Sequence, residues 1–162
     1  MAAVDYFIKI DGIEGESTDH KHKGEIDVLS FSLGATQGGT SSFGGGGGSG
    51  KVSFQDFHMV VKTSKASPKL FLHCATGAHI KTATLVCRKA GKDQQEYLTI
   101  KLSDCLVSSY ASGGTGGQDV IPTEQVSLNF AKVEMEYKPQ NADGSLAGAV
   151  KSGYDVKANK AV

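Results

Sequence analysis

Apolar residues recur at every second position through most of this chain, the period of strands that bury one face. Val4, Tyr6, Ile8 and Ile10 share one side of a first strand that ends at the turn pair Asp11-Gly12. In residues 25–34, EIDVLSFSLG, Leu29, Phe31 and Leu33 fall on one side, and Ser30 and Ser32 on the other, after Val28. That strand buries one side and offers a small, uncharged polar side to something else. Residues 51–62, KVSFQDFHMVVK, are apolar on both parities, which predicts a strand covered on both sides. Residues 80–89 and 94–108 predict a hairpin turning at Ala90-Gly91-Lys92-Asp93, its second strand carrying a face of Leu98, Ile100, Leu102 and Leu106. Residues 123–138 form the longest strand candidate. Val126, Leu128 and Phe130 lie on one parity, then Val133, Met135 and Tyr137 on the other, so a bulge or bend is expected near Ala131-Lys132. Such a strand passes from one sheet to another. A short last strand is expected between Val150 and Lys157.

One segment has helical spacing. Ser67 is placed to cap it, Pro68 to occupy its first position and Gly77 to end it, with Leu70, Phe71 and Cys74 along one apolar stripe. The chain is therefore mainly β, a barrel or sandwich plugged or flanked by a single α-helix.

At 162 residues the expectation is one domain spanning 1–162, large enough to fold without a metal or disulfide staple. Seventeen Lys and Arg balance seventeen Asp and Glu. Zero net charge argues against nucleic acid, which needs a basic footprint, and against an anionic membrane as partner. The opening MAAVDYFIKIDG breaks its apolar stretch with Asp5, Lys9 and Asp11, so an ordinary secretory signal is not expected, and no later run is long enough to span a membrane. Cys74, Cys87 and Cys105 are odd in number and lack a CxxC pair, the pattern of small buried hydrophobes. The 21 glycines concentrate in GGTSSFGGGGGSG at 38–50 and GGTGG at 113–117. A loop as long as the first is usually functional or disordered.

No motif carries catalysis. Gly45-x-x-x-x-Gly50-Lys51 is part of a phosphate-binding loop, but Val52 stands where Ser or Thr should hold Mg²⁺, and the next residues alternate like a strand instead of opening a helix. Asp19, His20 and His22 make at most half a metal site in a solvated turn. Cys74 and His79 straddle a helix end and point apart. Gly47-x-Ser49 lacks the final glycine of a nucleophile elbow. Glu134 and Glu136, near Lys132 and Lys138, form a solvated or interfacial face. No cofactor or metal is expected, and a binding or assembly module fits better than an enzyme.

Several segments, in order, resemble the haemolysin-coregulated protein (Hcp) family, tube subunits of the bacterial type VI secretion system. These are VDYFIKIDGIEGES, EIDVLSFSLG, the glycine-rich loop leading into KVSFQDF, SPKLFLHCATG, CRKAGKDQQEYLTIKL, LVSSYASGG and SLNFAKVEMEYKPQ. The resemblance covers nearly the whole chain. It implies a two-sheet β-barrel with one helix on its flank and a homohexameric ring with a wide pore. It also implies rings stacked head-to-tail and driven out by a contractile sheath behind a spike, with small effectors in the lumen. Export would carry the protein from the bacterial cytoplasm to the extracellular space or a target cell. Ser30 and Ser32 are then candidate lumen residues. Gly39, Phe43, Gly44, Gly45, Gly46, Gly47, Gly48 and Ser49 are candidates for a loop contacting a neighbouring subunit or ring, with Phe43 as its apolar anchor. A small-ligand-binding barrel without a secretion role is the alternative.

Overall fold

A computed structural model describes residues 4–38, 51–89, 94–117 and 121–162. In chain order the strands are β1 (Val4–Ile10), β2 (Ile26–Ser32), β3 (Ala35–Gln37), β4 (Val52–Phe54), β5 (Phe57–Lys62), β6 (Ile80–Lys89), β7 (Glu96–Gly113), β8 (Thr123–Tyr137), β9 (Val150–Asp155) and β10 (Lys160–Ala161), with helix α1 (Ser67–Thr76) between β5 and β6. Six strands pair in the order β8-β5-β2-β1-β6-β7, and β7 pairs back onto β8, closing a barrel. All these pairings are antiparallel. β9 and β10 extend the sheet beyond β8, and β3 and β4 form a separate two-stranded ribbon. Closure removes free sheet edges from the barrel.

The barrel interior is filled by its own side chains. Ile8, Phe57, Met59, Leu85, Ile100, Leu102, Val126 and Leu128 are all essentially inaccessible. Burying each stabilises the fold by about 1.5–3 kcal/mol before entropy is counted. The interior therefore offers packing where a small-ligand barrel would need a cavity.

Parity on the two long strands explains both the closure and one misreading. Leu102 pairs with Val133 and Cys105 with Phe130, all four buried, so the β7–β8 register is the same on both sides of Asp104 and Ala131. Each strand inserts one extra residue here, and Asp104 takes a left-handed φ of 52°. Both inward faces change parity together while the ladder keeps its register. At the same level β8 exchanges its other neighbour: Thr123–Leu128 pairs with β5, and Lys132–Tyr137 with β9. The expected apolar face of β7 is broken for this reason. Ile100 and Leu102 point inward, but beyond Asp104 it is Cys105 and Val107 that do so, and Leu106 is turned out, 39% exposed.

A similar slip separates Leu29 from Phe31. The β2–β5 register shifts between Val28 and Ser30. Val28 is buried, Phe31 packs against the core beside Tyr6 and Phe57, and Leu29 is left 48% exposed. Residues 51–62, expected as one strand, are two. β4 leaves the barrel to pair with β3, and β5 begins after Gln55 and Asp56, where the Gln55 backbone N–H donates to Gly34 O at 2.8 Å. β5 is buried on one parity only (Phe57, Met59 and Val61), while His58 and Val60 face outward, half-buried. β7 also runs past the expected end at 108, because the start of β8 pairs with it as far as Gly113.

Helix α1 ends as expected at Gly77, whose φ of 68° suits glycine and whose N–H donates to His73 O. Its start differs. Ala66 is the cap residue, and the Ser67 hydroxyl accepts from Ser64 N–H at 2.9 Å and donates to buried Glu124 at 2.8 Å. Glu124 also receives the hydroxyls of Thr63 at 3.2 Å and Tyr110 at 2.6 Å. One carboxylate thus joins the helix start, β7 and β8 inside the protein. Leu70 is the buried anchor of the helix and Cys74 a half-buried one, whereas Phe71 is 60% exposed with its ring edge-on to Tyr110.

Candidate functional site: an uncharged face across four strands

Ser30 and Ser32 lie on the outward side of β2, both exposed. Registers on three consecutive ladders place their neighbours. Ser32 is opposite His58 on β5, His58 is opposite Ser127 on β8, and Ser127 is opposite Ser109 on β7. The adjacent row runs Ser30, Val60, Gln125, Ala111. Strands lie about 4.8 Å apart, so each row spans about 14 Å. His58 Nδ1 and Ser127 Oγ are 3.0 Å apart. Charges appear at the two ends of this face. Asp27 and Lys62 are at one; at the other, Asp56 accepts from Asn129 Nδ2 at 3.0 Å. Burial first, then Asp5 and Asp19, push the Asp27 carboxyl up, and Lys62 partly opposes them.

This face can exchange hydrogen bonds. His58 and Ser127 make a serine–imidazole contact, but no carboxylate orients the other ring nitrogen among the described residues, so the third group of a hydrolytic triad is missing. No group of three His, Cys, Asp or Glu side chains that could hold a metal occurs among the described residues. The two serines were legible from β2 alone. His58, Ser127 and Ser109 were not, because alternation shows which side a residue takes but not which strand lies beside it.

The segment between β1 and β2 is fastened to the outer wall by buried charges. Arg88, 2% exposed, donates from Nη1 and Nη2 to the two Asp19 carboxylate oxygens at 3.0 and 2.7 Å, and from Nη2 to Asp5 at 3.2 Å. Its guanidinium lies 4.9 Å from the centre of the Phe7 ring. The His22 ring stacks on Phe7 at 4.5 Å and reaches Glu25 through Nδ1 at 2.9 Å and Glu96 through Nε2 at 2.7 Å. The Arg88 hydrogen bond holds the Asp19 carboxyl well below the usual carboxylate range, against the effect of burial. His22 was expected in a solvated turn and is instead buried. Long-range partners on β1 and β7, Phe7 and Glu96, hold it on the barrel, a placement that local sequence does not encode.

Other sequence candidates stay apart. Cys74 packs toward the core, while exposed His79 pairs with Asp104 at 3.0 Å. Glu134 and Glu136 face outward beside Lys132 at 3.7 Å, Lys138 at 3.9 Å and Lys151 at 3.5 Å. Lys51 leads into strand β4, where a phosphate-binding loop would need a helix. Gly39, Phe43, Gly44, Gly45, Gly46, Gly47, Gly48 and Ser49 lie outside the described residues. The segment that contains them joins Gln37 to Val52, which are paired strand ends.

Comparison with known proteins gives this architecture its context. The family model described as type VI secretion system effector, Hcp, matches residues 7–137. Protein hcp1 of Pseudomonas aeruginosa is 48% identical over 159 residues, covering 97% of this chain and 98% of that protein. The crystal structure of Hcp1 from Salmonella typhimurium aligns with a TM-score of 0.83 at 39% identity, over 99% of this chain and 100% of the other. A solved structure described as a type six secretion system protein aligns with a TM-score of 0.93 at 31% identity, again over 99% and 100%. With the family model matching residues 7–137 and the relatives aligning along almost the full length, the chain belongs to the Hcp family of type VI secretion system proteins.

Proposed function

We propose that this chain is the structural subunit of the type VI secretion inner tube. Homohexameric rings stack head-to-tail, a contracting sheath expels them behind a spike, and small effectors travel in the lumen. The observation that carries this reading is the 48% identity to Protein hcp1 across essentially both chains. The protein works by assembly and is not an enzyme. It moves from the bacterial cytoplasm to the outside or into a target cell; no helix among the described residues is long and apolar enough to cross a membrane.

In this reading the face bearing Ser30 and Ser32 lines the lumen. Its central rows are uncharged, so cargo is held by weak, exchangeable hydrogen bonds and is released on delivery. The segment containing Gly39, Phe43, Gly44–Gly48 and Ser49, which joins β3 to β4, contacts a neighbouring subunit or ring. Contacts of that heterologous kind build open filaments when they do not close.

Light scattering on a sizing column tests the ring. Six copies of a 16.9 kDa chain give about 101 kDa, the expected species. A monomer that persists across protein concentration and salt overturns the tube reading.

A further inference from the structure

We propose that His58, positioned by Ser127, is a specificity-determining residue of the cargo-binding face; this rests on the lumen reading above. The basis is the row Ser32, His58, Ser127, Ser109, which three antiparallel registers bring side by side from four strands. Of these four, His58 alone has a ring, and it is the longest polar group of the row. It is half-buried, with Nδ1 taken up by Ser127 Oγ at 3.0 Å. Nε2 makes no hydrogen bond among the described residues.

A serine hydroxyl can either donate or accept. When Ser127 accepts from Nδ1–H, Nε2 presents a lone pair; when it donates to Nδ1, Nε2 presents an N–H. A hydroxyl rotation coupled to a tautomer change thus converts one outward atom from acceptor to donor, without net charge and without backbone movement. The flanking row adds Gln125, whose amide offers both kinds of group, and the small residues Ser30 and Ala111. The ligand this surface fits is a small folded protein presenting uncharged polar groups, amides and hydroxyls, on its contact surface. A strongly acidic or basic cargo finds no counter-charge in the two central rows. Such a face accommodates more than one cargo while a single atom per subunit sets the geometry.

The test uses cells secreting the full-length protein. The probes are the small proteins whose appearance in the medium depends on this chain, defined by mass spectrometry with and without it. Ring mass and export of the chain itself are followed in parallel. His58→Ala is expected to leave both intact and to lower co-export of at least one such protein about five-fold, the loss of one net hydrogen bond. His58→Gln, whose amide also donates and accepts, is expected to restore much of it. Ser127→Ala is expected to change the tautomer populations of His58, read from imidazole ¹⁵N shifts in purified rings, which a merely structural serine would not do. Unchanged co-export in His58→Ala, with Ser32→Tyr blocking it, overturns the role of His58 and leaves the lumen reading standing. Unchanged co-export in both variants overturns the lumen reading with it. Loss of rings in both His58→Ala and His58→Gln assigns the face to assembly and also overturns the proposal.

Discussion

Replacing Arg88 with Met would remove the charge that fastens the β1–β2 segment while keeping much of the side-chain volume. Arg88 is almost wholly buried, so the change strands Asp19 and Asp5 beside an apolar wall. Breaking a fully buried pair costs about 3–5 kcal/mol. Asp5 and, to a lesser extent, Asp19 keep some contact with water, which lowers that figure. Loss of the contact with Phe7 adds about 1 kcal/mol. Arg88 Nε is buried and has no hydrogen-bond partner among the described residues, so deleting it returns about 1 kcal/mol. The net expectation is a loss of about 2–3 kcal/mol, or about 1 M off a urea midpoint for a chain of this size. Unfolding is compared at one protomer concentration, since assembly shifts apparent stability. A cycle with Asp19→Asn is expected to show a coupling of about 1–3 kcal/mol. Amide exchange is expected to accelerate at Gly15, Ser17 and Gly24, whose backbone hydrogen bonds close the segment on itself. A change below about 0.5 kcal/mol, or additive single variants, would refute the clasp.

Acid probes the same contact with a defined sign. Asp19 is depressed in the folded protein, so its contribution is present above the unfolded value of about 3.9 and is lost as pH falls below it. Exchange protection of Ser17 and Gly24 should drop in that range and less so in Asp19→Asn. Asp27 has the opposite sign: its carboxyl is raised, so stability is lost as pH rises above the unfolded value of about 3.9, and the loss is complete above the folded value. Asp27→Asn should raise the urea midpoint at pH 7 and leave it unchanged at pH 3. Glu124→Ala would leave three hydroxyls without their shared acceptor and is expected to cost about 2–3 kcal/mol by denaturant unfolding; a loss under about 1 kcal/mol would show that water replaces it. Burial pushes the Cys87 and Cys105 thiols up to about 11, so at pH 8 a thiol reagent should label Cys74 alone in the native protein and all three cysteines in urea. Equal native labelling of the three would contradict the packing.

Much of this protein was legible along the chain because its determinants are local. Alternation marked the strands, Gly77 stopped the helix where a left-handed φ was needed, and the parity change between Phe130 and Val133 marked the place where β8 changes partners. The outward serines of β2 followed from the same period of two. What sequence could not decide depends on contacts between distant segments. The left-handed Asp104 turned Leu106 out where alternation had it facing in, and the slip after Val28 separated Leu29 from Phe31, since one irregular residue reverses every side chain beyond it. His22 and Asp19 read as solvated until Glu96 and Arg88, some seventy residues away, arrived beside them. The row of Ser32, His58, Ser127 and Ser109 exists only after three strand registers are set. Those registers come from packing the barrel interior, and no residue in the row contributes to that packing.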